Sequence, residues 1–292
     1  MSELKQRWQA LRESQSGLRI RDAAAQLGVS EAALLETRID EGARRLAVRV
    51  DALCAALPHL GTVMSLIRNE SAVHEKDVAF PAGAESDGEI RFAGEGFSLT
   101  LIPSSVAHAF YVEDANPKGP LRSIQLFDAA GGALWKIYAR DKADHAAFER
   151  LLAELAWPDG VQPIPFSRPA SASTDAAPAG NPTDLQAVLE AAAAEAIPVR
   201  LEVANHGVRQ SHRGPLARIV RMGPWLNVLD PGFDWHLNEK PLSGGSIELG
   251  DRPILVLHLA SGGEAARLQA DDGATTDQQA AWRGILEKAV TS

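Results

Sequence analysis

The run Arg68-Asn69-Glu70-Ser71-Ala72-Val73-His74-Glu75-Lys76 brings a guanidinium, carboxylates and an imidazole together at the end of an apolar strand. In an unbroken strand the side chains alternate, so Arg68, Glu70, Ala72 and His74 share one face and Asn69, Val73 and Glu75 the other. A histidine with an arginine on the same face is a ligand-plus-anion clamp: the ring nitrogen takes a metal, and the guanidinium takes an acidic group. The plainer reading of the same histidine is a packed or solvated strand residue. His206, His212, His236 and His258 all lie in the second half, where a zinc cluster is conceivable, but no Cys or closely spaced ligand supports one. His236, beside Trp235, reads as a core or edge histidine. No phosphate loop, Ser-His-Asp order or paired-carboxylate signature stands out.

The elements that must carry these residues are written twice. Leu126, Gly131-Gly132, Lys136, Ile137, Asp141, Phe148, Leu151 and Leu152 return as Leu257, Gly262-Gly263, Arg267, Leu268, Asp272, Trp282, Ile285 and Leu286, with the glycine pairs 131 positions apart. Each copy predicts a strand, a Gly-Gly turn, a second alternating strand and an amphipathic helix. Phe110 to Asp114 reads as the counterpart of Trp235 to Glu239. Strands then helix, twice, is an α+β plan.

Residues 1–157 form the first repeat with an N-terminal helical cap. The stretch 158–184, with its prolines, alanines and serines, is a linker. Residues 185–292 form a second, shortened repeat that opens with a helix over Leu185 to Ala196. In the cap, Ser30 is a good N-cap, and Asp22 through Gly28 to Leu35 has helix-turn-helix spacing. That spacing admits a DNA-binding alternative, although any two packed helices joined by a tight turn need the same residues. Strands are expected at Leu46 to Val50, Val63 to Ile67, Phe97 to Ile102 and Ala109 to Val112, with a helix at Ala52 to Leu57.

A chain of 292 residues with 45% hydrophobic side chains can bury a core in each half. The net charge of −9 argues against general nucleic-acid binding, which relies on phosphate neutralisation. An anionic ligand would need a local basic pocket. The single cysteine, Cys54, forms no intramolecular disulfide and suits a reducing cytosol. The polar N-terminus and the lack of a long apolar run point away from export and membrane insertion.

Three runs and the C-terminal helix resemble the bacterial hemin-degrading and heme-trafficking family of HemS and ChuS. They are Arg68 to Glu75, Ser123-Ile124-Gln125-Leu126-Phe127-Asp128 on through Lys136, Tyr138 and Ala139, and Gly223-Pro224-Trp225-Leu226-Asn227 on through Phe233, His236 and Leu237. The helix contributes Gln279-Ala280-Ala281-Trp282-Arg283. The similarity is colinear from Trp8 to Val290. It implies two structural repeats, each a large curved antiparallel sheet flanked by helices. It also implies a cytoplasmic protein of heme uptake that takes heme from an importer, carries it, and degrades it or delivers it to a heme oxygenase. Heme needs an apolar slot, an axial nitrogen for iron and cationic or hydroxyl groups for its propionates. On this resemblance His74 is the candidate axial ligand, its repeat counterpart being Gln210. Arg68, Arg122, Lys136, Tyr138 and Arg140 are the candidate propionate partners.

The chain also departs from the family pattern. The family's principal axial histidine lies in an insertion ahead of the second sheet, which this chain lacks. The distal arginine falls at Thr100, and the late tyrosine and arginine fall at Gln269 and Asp272. The departures favour a carrier over an enzyme. They also leave open an interaction protein that keeps the scaffold and has lost heme. The sequence leaves the oligomeric state open.

Overall fold

Three short helices precede the first long strand in the computed structural model, which describes residues 2–117, 119–167 and 184–291. They are α1 (Glu3–Ser14), α2 (Ile20–Leu27) and α3 (Glu31–Glu36). Strand β1 (Ala43–Leu46) and helix α4 (Val50–Ala56) follow, so the apolar run expected as one strand over 46–50 is divided between them. Then come β2 (Thr62–Arg68), β3 (Ala72–Ala79), β4 (Ala84–Ser86), β5 (Glu89–Gly94), β6 (Phe97–Leu101), β7 (His108–Asp114), β8 (Leu121–Phe127) and β9 (Ala133–Ala139), closed by α5 (His145–Glu154). The second half runs α6 (Leu185–Ala194), β10 (Val199–Ala204), β11 (Val208–Gly214), β12 (Ile219–Met222), β13 (Trp225–Asp230), β14 (Phe233–Asn238), β15 (Leu242–Glu248), β16 (Ile254–Leu259), β17 (Glu264–Ala270) and α7 (Thr276–Thr291).

The strands form two antiparallel sheets. Sheet I has the order β1-β7-β8-β9-β2-β3-β14-β13-β12, and sheet II the order β15-β16-β17-β10-β11-β6-β5-β4. Each half therefore lends three strands to the other's sheet: β12 to β14 complete sheet I, and β4 to β6 complete sheet II. Period-two burial shows why these segments are strands with a defined face. In β10, Val199, Leu201 and Val203 are buried while Arg200 and Glu202 are not. In β14, Phe233, Trp235 and Leu237 are buried while Asp234 and His236 are only half-buried. The inner faces share one core, in which Phe80 meets Phe92, Phe97 and Trp135 edge-on at centroid distances of 5.3, 5.4 and 5.7 Å. Each such fully buried ring contributes roughly 1.5–3 kcal/mol.

Strand exchange corrects one expected correspondence. Trp235–Leu237 lies in β14, beside β3, where sheet II has β6 beside β11. The place of Phe110–Asp114 is taken in sheet II by β15, whose glycines and irregular register blur its alternation. The helix-turn-helix spacing is also accounted for. Gly28 closes α2 in the left-handed region (φ 68°), but α3 buries Glu31, Ala32, Leu34 and Leu35. Ala32 and Leu35 pack on Phe110, Val112 and Phe127 of sheet I, so no recognition helix is left free for a groove. Gly131, in the repeated Gly-Gly turn, has φ 83°; a Cβ there would strike Ser30 of this cap, and its carbonyl accepts from the Ala32 N–H. Of the expected linker, 168–183 lie outside the described residues. Its first part stays on the first half, where the Ser167 N–H donates to the Ala129 carbonyl at 2.7 Å and Phe166 meets His108.

Candidate binding site

The run that carries Arg68 and His74 is broken by its own asparagine. Asn69 Oδ1 accepts from the N–H groups of Ser71 (3.0 Å) and Ala72 (2.8 Å), an Asx turn that reverses the chain between β2 and β3. Arg68 then pairs with Val73, and Ile67 with His74. Arg68 and His74 thus point to opposite faces of sheet I, and the clamp read from an unbroken strand does not form. The turn is also a clasp between the halves. Asn69 Nδ2 donates to the carbonyls of Ala204 and Ala265, and Asn205 Nδ2 donates to those of Arg68 and Leu134. Asn205 holds its own hairpin in the same way, through the N–H groups of Gly207 and Val208.

His74 lies on the inner face, fully buried. Its Nδ1 accepts from Gln210, its repeat counterpart, at 2.7 Å. Gln210 is itself tied to Ser65, and Ser65 to Trp135. Burial, reinforced by His212 and Lys76, pushes the His74 imidazole well below its ordinary pKa, so it is neutral. A ring sealed between two sheets offers no approach to a porphyrin, so the structure does not present His74 as the accessible axial ligand that the resemblance implied.

The outer face of sheet I is different. Between it and helices α1 to α3 lies a cavity of about 810 Å³, in the size range of small-molecule and cofactor pockets. Leu66, Arg68, Val73, Lys136 and Tyr138 form its floor, and Trp8, Leu18, Ile20 and Leu35 supply apolar wall from the cap. Several of its cations are already neutralised. Lys136 is paired with buried Glu31; burial opposes its charge, but Glu31, with Tyr138, outweighs that and raises its pKa. Arg38 pairs with Asp114 at 2.7 Å, and Arg12 lies over the Trp8 ring. Arg68, on the floor, is not neutralised in this way. It is half-buried, its Nε has no hydrogen-bond partner among the described residues, and burial with Arg21 beside it lowers the guanidinium to about 10, still cationic at neutral pH. Glu31 and Asp22 attract this charge without forming an ion pair with it, so its hydrogen-bonding capacity is left for an anionic ligand.

Of the other candidates, Tyr138 lines this cavity, whereas Arg122 and Arg140 lie outside its lining. Arg122 is held by Glu113 and Glu149, and Arg140 by Glu75 and Asp77. Sequence reasoning missed the cap residues Arg19 and Arg21, because cations on short polar helices look solvated. It also undervalued the pair Asn227 and His236. The hairpin turn at Pro231-Gly232 sets them directly opposite on the outer face of sheet I, and His236 Nδ1 lies 2.7 Å from Asn227 Oδ1. A two-residue turn at that position was a sequence signal for this register. Among the described residues, no group of three or more His, Cys, Asp or Glu side chains is placed to hold a metal. Burial raises the Cys54 thiol to about 12, leaving it an inert core residue.

A family model, the haemin-degrading HemS.ChuX domain, matches residues 28–155 and 170–244. The chain belongs to the HemS/ChuX family. It is 27% identical to the hemin transport protein HmuS of Yersinia pestis and 25% identical to HemS of Yersinia enterocolitica, in each case over 92% of both chains. Its fold matches the heme-degrading enzyme ChuS of Escherichia coli O157:H7 (TM-score 0.87, 25% identity). It also matches holo-PhuS, a heme-binding protein of Pseudomonas aeruginosa (TM-score 0.86, 26% identity), in each case over 98% of both chains. Two large antiparallel sheets with flanking helices are the family's α+β architecture.

Within that architecture, the three positions at which the resemblance placed departures gather on one surface. Thr100, in β6, and Gln269, in β17, lie on the outer face of sheet II, with Asp272 just beyond β17. That face carries ion pairs: Arg200 and Arg209 hold Glu202, and Arg267 holds Glu264. Among the described residues of the second half only α6 precedes β10, as α4 precedes β2, whereas the first half adds α1 to α3, which with sheet I line the cavity. No described helix is long and apolar enough to cross a membrane.

Proposed function

We propose that this protein binds heme in the cavity between the N-terminal helices and sheet I and acts in the cytoplasm as a carrier in bacterial heme uptake, receiving heme from an importer and passing it to an acceptor such as a heme oxygenase. The observation that carries this reading is the unpaired Arg68 guanidinium at the floor of a cavity with apolar walls. Heme combines a flat apolar body with two carboxylates, groups that Trp8, Leu18 and Ile20 on one side and the Arg68 guanidinium on the other can meet. Arg19 and Arg21 at the cap and Tyr138 on the floor add donors for the same carboxylates. Family membership across nearly the whole chain supports heme over other anionic ligands. Transport rather than degradation is favoured because Thr100, Gln269 and Asp272 stand where the family pattern has its distal and propionate groups.

The same substitutions favour a second reading, an interaction protein on a scaffold that has lost heme. Titration of the purified chain with hemin, followed at the Soret band, separates the two. The carrier reading expects saturable one-to-one binding, weakened about tenfold or more by Arg68→Ala through loss of charge-assisted hydrogen bonds. It also expects heme bands that persist when a reductant is added in air. A protein that stays colourless contradicts it and leaves the scaffold reading.

A further inference from the structure

The charges that line the cavity between the cap and sheet I are unevenly matched. All five of its carboxylates are paired. Glu31 with Lys136 and Asp114 with Arg38 pair within the lining, while Lys5, Arg140 and Arg122 hold Glu41, Glu75 and Glu113 from outside it. Four guanidiniums of the same lining, those of Arg12, Arg19, Arg21 and Arg68, form no ion pair among the described residues. Arg12 and Arg19 are exposed on the cap, Arg21 donates to the Asn69 carbonyl at 2.9 Å, and Arg68 lies on the floor. In a chain of net charge −9 this is a local surplus of positive charge, aimed at a ligand's carboxylates.

The same walls offer little to a metal. Among the described residues they carry no imidazole, thiol or thioether, and their one phenol is that of Tyr138. Burial raises the pKa of this phenol more than Lys136 lowers it, so the group stays protonated and is a poor donor to iron. Gln125 adds a different demand. It is 3% exposed, its Nε2 donates to Ser123 Oγ at 3.0 Å, and its Oε1 has no partner. A buried acceptor in this state calls for an N–H or O–H from a ligand. The nitrogens of an iron porphyrin are all taken by the metal, whereas a tetrapyrrole without iron keeps N–H groups. Gln125 and Arg68 share the outer face of sheet I, on strands that flank β9 and two residues out of line, about 12 Å apart at ordinary strand spacing. A ligand that reaches both has the breadth of a tetrapyrrole.

We propose that the cavity recognises a tetrapyrrole by its carboxylates and N–H groups and not by its iron, so that it takes the metal-free ring, closed or opened, as well as hemin. This rests on reading the cavity as a heme site. The guanidiniums meet the carboxylates, and Trp8, Leu18 and Ile20 cover the ring, in either case. The reactions that supply such a ligand are those that remove the iron or open the macrocycle.

The test is titration of the full chain with hemin, protoporphyrin IX and biliverdin, followed by quenching of tryptophan fluorescence. Protoporphyrin IX reports on the closed ring and biliverdin on the open one. At least one of the two is expected to bind within about tenfold of hemin. Gln125→Leu is expected to weaken that compound about tenfold and to leave hemin within about twofold. If this variant does not fold, Arg68→Ala takes its place and should weaken hemin and the metal-free compound by the same factor, within about threefold. A metal-free affinity that is unchanged in Gln125→Leu, or lies more than about tenfold below that of hemin, overturns the proposal and leaves heme binding intact. A chain that binds a metal-free compound but no hemin overturns the heme reading alone, and one that binds none of the three overturns both.

Discussion

The outer faces of the two sheets began as copies and now do different work. On sheet I, α1 to α3 fold back over β2, β3 and β9 and enclose a cavity whose floor holds an unpaired guanidinium. On sheet II, the equivalent strands β10, β11 and β17 have no such helices ahead of them among the described residues, and their cations are spent on neighbouring carboxylates. One position shows the contrast directly. Lys136 in the first copy is buried under the cap against Glu31, while Arg267, its repeat counterpart, pairs with Glu264 at the surface. The same strand position thus becomes a structural strut where a cap covers it and a solvated ion pair where none does. The difference arises from what lies over each sheet, since the sheets themselves are closely alike.

The largest effect expected from this comparison is at that position. Lys136→Met leaves the Glu31 carboxylate buried without its cation and should cost about 3–5 kcal/mol in urea unfolding. The matching change Arg267→Met should cost no more than about 1 kcal/mol, as exposed pairs do. Equal losses at the two sites would show that the cap does not create a distinct environment. A smaller effect sharpens the comparison from the side where the halves remain alike. Asn69→Ala and Asn205→Ala each remove two hydrogen bonds to the opposite half and two within a hairpin, so each should destabilise by roughly 2–4 kcal/mol. The two losses should agree within about 1 kcal/mol; a large imbalance would mean that one asparagine alone closes the seam.

How much of this could be read from the residues varies with the range of the interaction. The Gly-Gly turns, the alternating strands after them and the closing helices with Phe148 and Trp282 were legible because each is local and periodic. The helix that opens the second half at Leu185 was legible from its Ala-rich run. The face of His74 was not, because its position depends on the turn at Asn69. That turn uses an Asx side chain and no Gly or Pro, and the charged run Glu75-Lys76-Asp77 hides the alternation of β3. Nor was the exchange of β4–β6 and β12–β14 between sheets legible, since a strand's pattern tells which face is buried and not which partner lies beside it. Arg68 was found as an anion partner from its own run, and Tyr138 through the resemblance. The cavity that gives them a role exists only because Ala32 and Leu35 dock on Phe110 and Phe127, a contact spanning most of the first half.

Hydrogen–deuterium exchange with and without hemin tests the central claim most directly, because it asks which face of the molecule the ligand covers. The account predicts added protection in the N-terminal helices, residues 3–36, and in β2, β3 and β9, with β6, β10 and β17 unchanged. Protection confined to β6, β10 and β17, with the N-terminal helices unaffected, would contradict it.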